Sequence, residues 1–162
     1  MSILYDKDLY ILNEIQETID DFNVFGLSKI ICQYHFNLEN CKQITSDKYN
    51  GKINFLRGAP IEYIYMNSFN GDLSPLKGAP IQSISINSFN GDLSPLEGSP
   101  IQYIYMDSFN GDLSPLKGAP IQIISVDSFN GDISPLKGAP IQYISMNSFN
   151  GDLSFLKNLF DK

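Results

Sequence analysis

The sequence predicts a repeat solenoid: a stack of six short parallel strands with turn and 3-10 return segments, preceded by a small helical cap. Three observations carry that prediction. A 20-residue unit, IQxIxxxSFNGDLSPLKGAP, recurs from Ile61 almost to the C-terminal end, and periods of this length mark architectures whose units bury their apolar faces only against their neighbours. Within each unit the apolar spacing passes from strand-like alternation to a turn and then a single helical turn. The copies also differ from one another almost entirely in the strand, while the turn and return segments hardly change.

Residues 1–40 carry no trace of the unit and read as two helices. Leu9, Leu12, Ile15 and Ile19 give an amphipathic stripe, with Asp8 available as a cap. After Asp21-Phe22-Asn23-Val24-Phe25-Gly26, the run Leu27–Tyr34 predicts a second, more buried helix. The expected role is to shield the first coil's core from water.

The solenoid follows over residues 41–162. Tyr49-Asn50-Gly51 through Gly58-Ala59-Pro60 aligns without gaps to Phe69–Pro80, which puts Cys41, Ile44 and Ser46 where Ile61, Ile64 and Met66 stand. Strand-bearing units therefore start at residues 41, 61, 81, 101, 121 and 141. In the unit from Ile81, apolar residues at positions 1, 4 and 6 (Ile81, Ile84, Ile86) predict a half-buried strand. Asn90-Gly91 reads as a turn in which glycine takes positive φ. In Ser94-Pro95-Leu96-Glu97-Gly98 the serine fits a helix N-cap, the proline a first helical position and the glycine a left-handed stop. So short a span predicts a 3-10 turn. Pro100 then lies just outside the next strand, where its missing N–H does no harm.

The spacing Ile81-x-x-Ile84-x-Ile86 and the tail DLSPLKG resemble leucine-rich repeats over Cys41–Phe155. Position 9, where that family places an asparagine, holds Tyr49, Phe69, Phe89, Phe109, Phe129 and Phe149, with the asparagine one residue later. That Phe-Asn pair is closer to the FNIP subgroup, although its proline is missing here and the unit is about two residues shorter than is usual there. The resemblance implies a solenoid that presents its sheet face to partners, and no catalytic residues. Glu17–Phe22 followed by Leu27–Cys32 has an aliphatic rhythm similar to the F-box, the helical module that docks onto a ubiquitin-ligase adaptor. The expected Leu-Pro start is absent, so residues 1–40 stand as a cap, with an F-box-like module as the alternative.

Composition narrows the function classes. With 43% apolar and 18% charged residues the chain folds rather than remaining disordered. A net charge of −7 speaks against nucleic acid or an anionic membrane surface as partner. Cys32 and Cys41 are too few for a disulfide framework and read as buried thiols in a reducing compartment. The start MSILYDKDLY lacks a signal-peptide pattern, and no apolar run reaches the ~18 residues of a membrane span. The expectation is a cytoplasmic protein.

Chemistry-bearing motifs are sparse, and neither an enzyme activity nor a cofactor is expected. His35 is the only histidine. The row Asp72, Asp92, Asp112, Asp132 and Asp152 would stack at about 5 Å. Its two readings are a row of Ca²⁺ ligands or a set of local turn caps, and one carboxylate per coil favours caps. The position-9 rings should stack as a core spine, and the row Asn50 to Asn150 should satisfy backbone groups at the bend.

Function is expected where the copies vary. Position 3 runs Gln43, Tyr63, Ser83, Tyr103, Ile123, Tyr143; position 5 runs Thr45, Tyr65, Ser85, Tyr105, Ser125, Ser145; position 7 runs Asp47, Asn67, Asn87, Asp107, Asp127, Asn147. Strand alternation places all three on the face opposite the core. Tyrosine beside serine and asparagine is the chemistry of adaptable contact surfaces. Tyr63, Tyr65, Tyr103, Tyr105 and Tyr143 are the expected anchors of a protein-binding site, with Asn67, Ser83, Ser85, Asp107, Ile123, Ser125, Asp127 and Ser145 around them. The plainer alternative is that these residues simply suit an exposed sheet. At the other end of the chain, Phe155 replaces the expected proline and Leu159 and Phe160 follow. An open strand edge there would allow self-association end to end.

Overall fold

A computed structural model describes residues 2–21 and 38–156. Among the described residues seven strands form one open parallel sheet in chain order: β1 (Ser2–Leu4), β2 (Cys41–Ser46), β3 (Tyr63–Met66), β4 (Ser83–Ser85), β5 (Tyr103–Tyr105), β6 (Ile123–Ser125) and β7 (Tyr143–Ser145). From β2 onward every pair is in a 20-residue register, such as Ile64 opposite Ile84 and Ile84 opposite Ile104. The sequence predicts six strands; the seventh comes from the N-terminal segment, where Ser2–Leu4 pairs with β2. It is short, has no copy elsewhere in the chain, and buries Leu4 against the first coil.

Helix α1 (Asp6–Asp21) follows. Leu9 and Leu12 are fully buried in the core that runs through the repeats, with Ile15 packed against it. Asp8 lies inside the first turn and does not precede the helix: its carboxylate reaches back to accept the Tyr5 N–H at 3.1 Å, the returning half of a capping box. Asp6 accepts a hydrogen bond from the hydroxyl of Ser46, which itself accepts the Tyr49 N–H. The one polar residue at an inward strand position is thus satisfied by the helix that covers it. The second predicted helix, at 27–34, lies outside the described residues, as do Cys32, His35, Leu159 and Phe160. Cys41 is buried, its thiol donating to the Gln43 carbonyl at 3.5 Å.

Each interior unit buries the same six apolar positions, for instance Ile101, Ile104, Met106, Phe109, Leu113 and Leu116. The aromatic residues form the expected spine. Phe89, Phe109, Phe129 and Phe149 stack with centroids 6.3–6.5 Å apart and planes within 13°. Adjacent strands sit only ~4.8 Å apart, so the coils fan outward at the rings and the sheet takes the inner side of the bend. Tyr49 ends the spine, with Tyr10 of α1 edge-on at 5.0 Å and its hydroxyl donated to the Lys52 carbonyl.

Two details of the return segment differ from expectation. The Asn-Gly glycines are not at positive φ; those are Gly58, Gly78, Gly98, Gly118 and Gly138, at +75° to +88°. With Lys77 at φ −56°, ψ 125° and the Ala79 N–H donating to the Leu76 carbonyl, Gly78 is the third residue of a type II turn. Gly111 is needed for space instead: a β-carbon there would lie 2.9 Å from the Phe109 ring. The 3-10 turns begin at the serine itself, as in Ser74–Leu76, with no side-chain cap from the preceding residue. Serine is therefore the first residue of the turn and proline the second, and the capping falls to the aspartate two residues before the serine.

Candidate functional site

Strand alternation, enforced by the buried Ile64, Ile84, Ile104 and Ile124, turns positions 3 and 5 of every strand to the inner face of the bend. The register then builds two rows. Tyr63, Ser83, Tyr103, Ile123 and Tyr143 follow one another in the first. Tyr65, Ser85, Tyr105, Ser125 and Ser145 do so in the second, with Thr45 opposite Tyr65. All five anchor tyrosines are at least partly accessible; Tyr65, Tyr105 and Tyr143 are 38, 36 and 55% exposed. Ser83 is the departure, only 5% exposed between Tyr63 and Tyr103. The Tyr63 hydroxyl donates to Gln82 Oε1 of the next coil at 3.3 Å, which leans that ring over the neighbouring strand.

Position 7 lies along one flank. Asn67 donates its amide to Asp47 at 2.8 Å and Ser145 its hydroxyl to Asp127 at 3.1 Å; Asp107 is exposed and Asp127 half-buried. The other flank is a row the strand pattern does not pick out: Glu62, Gln82, Gln102, Gln122 and Gln142 at position 2. Lys42 pairs with Glu62 at 2.5 Å, and the Gln122 amide donates to Gln102 at 3.1 Å. Alternation from position 4 would assign position 2 to the core, but the regular strand begins only at position 3. The recurrence of glutamine itself was the available signal.

The aspartate row faces away from this chemistry. Asp72 Oδ1 accepts the Ser74 N–H at 2.8 Å and its other oxygen accepts the Ser74 hydroxyl; the same clasp recurs at Asp92, Asp132 and Asp152. Hydroxyl and then backbone bonds hold Asp72, Asp92 and Asp112 below the ordinary carboxylate range, and for Asp132 the backbone bond leads. These carboxylates are turn caps. Among the described residues no group of three or more His, Cys, Asp or Glu gathers where it could hold a metal ion. The asparagine row forms a ladder: Asn70, Asn90, Asn110, Asn130 and Asn150 each donate their backbone N–H to the side-chain oxygen of the asparagine one coil earlier, at 2.8–3.0 Å.

An open cleft of about 540 Å³ lies between Asn13 and Glu17 of α1 and the turn residues around Asn50, and another of about 380 Å³ lies among the turn residues around Asp132; neither is lined by a residue of the sheet face. No described helix is long and apolar enough to cross a membrane.

No family model matches the chain, and no curated protein matches it in sequence. Among solved structures it is similar to the crystal structure of internalin C2 from Listeria monocytogenes, with a TM-score of 0.59 and 23% identity over 71% of this chain and 56% of that one. The chain thus spans little more than half the length of internalin C2. The likeness is one of fold: short parallel strands in one open sheet, returned through 3-10 turns. The chain folds as a leucine-rich-repeat-like solenoid.

Proposed function

We propose that this chain is a non-enzymatic interaction module that binds a protein partner through the inner sheet face. The observation that supports the reading most strongly is where the copies differ. From Ile61 onward the turn positions and core positions 1, 4 and 9 stay constant or nearly so and core position 6 varies only among Met, Ile and Val, while the rows at positions 3 and 5, accessible except at Ser83, exchange tyrosine for serine and isoleucine. Rigid amphipathic rings beside small hydrogen-bonding groups on one accessible face are the chemistry of adaptable contact surfaces. The Phe-Asn pair supports reading the repeats as nearest the FNIP subgroup. The burial of Leu9 and Leu12 in the solenoid's own core supports a capping role for α1 over that of an F-box-like ubiquitin-ligase adaptor.

A photocrosslinking residue at Tyr105 should trap a partner from a lysate of the cells that make the protein. The same residue at Lys117, on the return side, should not. Equal trapping at both positions would refute the face.

A second reading, self-association end to end, rests on the last coil. Ile144, Met146, Phe149 and Leu153 are only partly buried, whereas Ile124, Val126 and Phe129 one coil earlier are fully buried. Sedimentation velocity over a hundredfold range of concentration tests it; a constant monomer ends it.

A further inference from the structure

Resting on the sheet face as a binding surface, we infer that its occupant is a basic, extended protein segment, one of whose arginine side chains enters the slot between Tyr65 and Tyr105. The register sets Tyr65, Ser85 and Tyr105 side by side. The two phenol rings therefore rise two strands apart, about 9.5 Å, over a serine floor. Both rings are more than one-third exposed and Ser85 is half-buried, so this slot is open. Its neighbour over Ser83 is closed, with that serine 5% exposed. A flat group touching a ring on each side needs about 7–8 Å, twice the ~3.5–4.0 Å carbon contact distance. One planar group enters with about 1.5–2.5 Å to spare, enough to stack on one ring and lie close to the other, and a second does not fit.

Charge decides which planar group. Positions 1–9 of the units from Ile61 to Phe149 contain Glu62, Asp107 and Asp127 and not one Lys or Arg. Glu62 is neutralised by Lys42. Asp107 stands two residues beyond Tyr105, in the turn that follows β5, and Asp127 takes the same place in the next coil, where the Ser128 N–H donates to the Asp107 carbonyl at 2.9 Å. Both carboxylates thus lie to the Tyr105 side of the slot, and no Lys or Arg at these positions of the units answers them. A guanidinium is planar, positively charged, and presents in-plane donors to carboxylates while its faces stack on aromatic rings. An ammonium answers the charge without filling the slot, and an aromatic ring fills the slot without answering the charge.

A second slot lies between Tyr103 and Tyr143 over Ile123; its floor is apolar, and it takes an aliphatic side chain. From Ser85 to Ile123 the step is two strands across and two residues back, about 12 Å, which is three to four residues of extended chain. Side chains of an extended segment alternate, so two that enter the same face are an even number apart, and the motif the face selects is Arg-x-x-x-Leu.

The test uses fluorescein-labelled peptides carrying this motif in a Gly-Ser background, with citrulline, Lys, Glu or Phe in place of Arg, titrated with the whole chain by fluorescence anisotropy. Arg peptides should bind ~10-fold more tightly than their citrulline counterparts. Their affinity should fall several-fold between 25 and 300 mM NaCl. Asp107→Asn/Asp127→Asn should weaken them ~5–10-fold, as should Tyr65→Ser/Tyr105→Ser, whereas Tyr105→Phe keeps the ring and should hold affinity within ~2-fold. Circular dichroism verifies that each variant is folded. Citrulline or Phe peptides binding as well as Arg would overturn the arginine assignment while leaving the face intact. Arg binding that survives loss of both tyrosines, or no binding by any peptide, overturns the inference outright, and the crosslinking at Tyr105 then judges the face separately.

Discussion

Gly111 and Gly118 sit seven residues apart in one return segment and resist substitution for unrelated reasons, which a double-mutant cycle separates. A methyl group at Gly111 would lie 2.9 Å from Phe109 Cζ and 3.0 Å from Cε2, roughly 0.5–1 Å inside a normal carbon contact. The ring has nowhere to go. It is fully buried, with Phe89 stacked 6.4 Å away on one side and Phe129 6.3 Å away on the other. Gly111→Ala should therefore cost about 1–3 kcal/mol, the ordinary price of overpacking. Phe109→Leu removes the two clashing atoms and is itself destabilising, at part of the ~3–5 kcal/mol of a Phe→Ala change. In that background Gly111→Ala should be nearly free, a coupling of about 1–3 kcal/mol. Gly118 has nothing within contact of a β-carbon but holds φ at +80°. Gly118→Ala should cost ~1–2 kcal/mol from backbone strain alone, Gly118→Asn less, and both should add to Phe109→Leu without coupling. Urea unfolding followed by far-ultraviolet circular dichroism reads all of these, with the slope checked for loss of two-state behaviour. Additivity of Gly111→Ala and Phe109→Leu to within ~0.5 kcal/mol would refute the steric account.

Asn110→Ala removes the acceptor of the Asn130 N–H and should cost ~0.5–1.5 kcal/mol. Asn150→Ala, at the last described rung of the ladder, should cost close to nothing; equal costs in urea titrations would show that the ladder carries no stability. The Asp–Ser clasps make the fold acid-sensitive. Asp72, Asp92, Asp112 and Asp132 are held below the ordinary carboxylate range in the folded state, so their contribution is full above that range and is lost as pH falls through the folded values. The urea midpoint should drop between about pH 5 and pH 3, and replacing all four by Asn should flatten that slope; an unchanged slope would count against the clasps. Deleting residues 81–100 should leave a folded, less stable chain in which Tyr65 pairs directly with Tyr105. The same deletion closes the slot over Ser85, so it should also abolish binding of the arginine peptides.

The unit is legible in the sequence because it repeats: strand, bend and 3-10 turn recur at fixed offsets, and six copies make the apolar pattern unambiguous. The same logic explains what was hidden. Ser2–Leu4 is three residues without a copy, and nothing local distinguishes it from a disordered start; only the docking of Leu4 on the first coil makes it a strand. The Asn-Gly glycines carry a turn signature that invites positive φ, yet their need is set by an aromatic ring two residues earlier that folds back over them, a contact that depends on the bend already existing. Ser94 looks like an N-cap by type, but the aspartate before it bonds both its N–H and its hydroxyl, which shifts the turn by one residue. The tyrosine rows were placed on the open face by alternation alone. What alternation could not reveal is that Tyr63 leans on Gln82 and shuts one of the slots, because side-chain tilt between coils leaves no mark in the order of residues.

The asparagine ladder has a genetic corollary. Each rung joins a backbone N–H to an oxygen exactly one unit earlier in the chain, and the strand register repeats the same step, so no coil between the ends holds a privileged position. Duplication or loss of one unit's worth of coding sequence therefore yields a chain that needs no compensating substitution. Near-identical repeats are also the substrate on which unequal recombination acts most readily. A gene of this kind can lengthen or shorten its recognition surface in whole strands and deal out tyrosine and serine in new orders, while the segments at either end remain as they are.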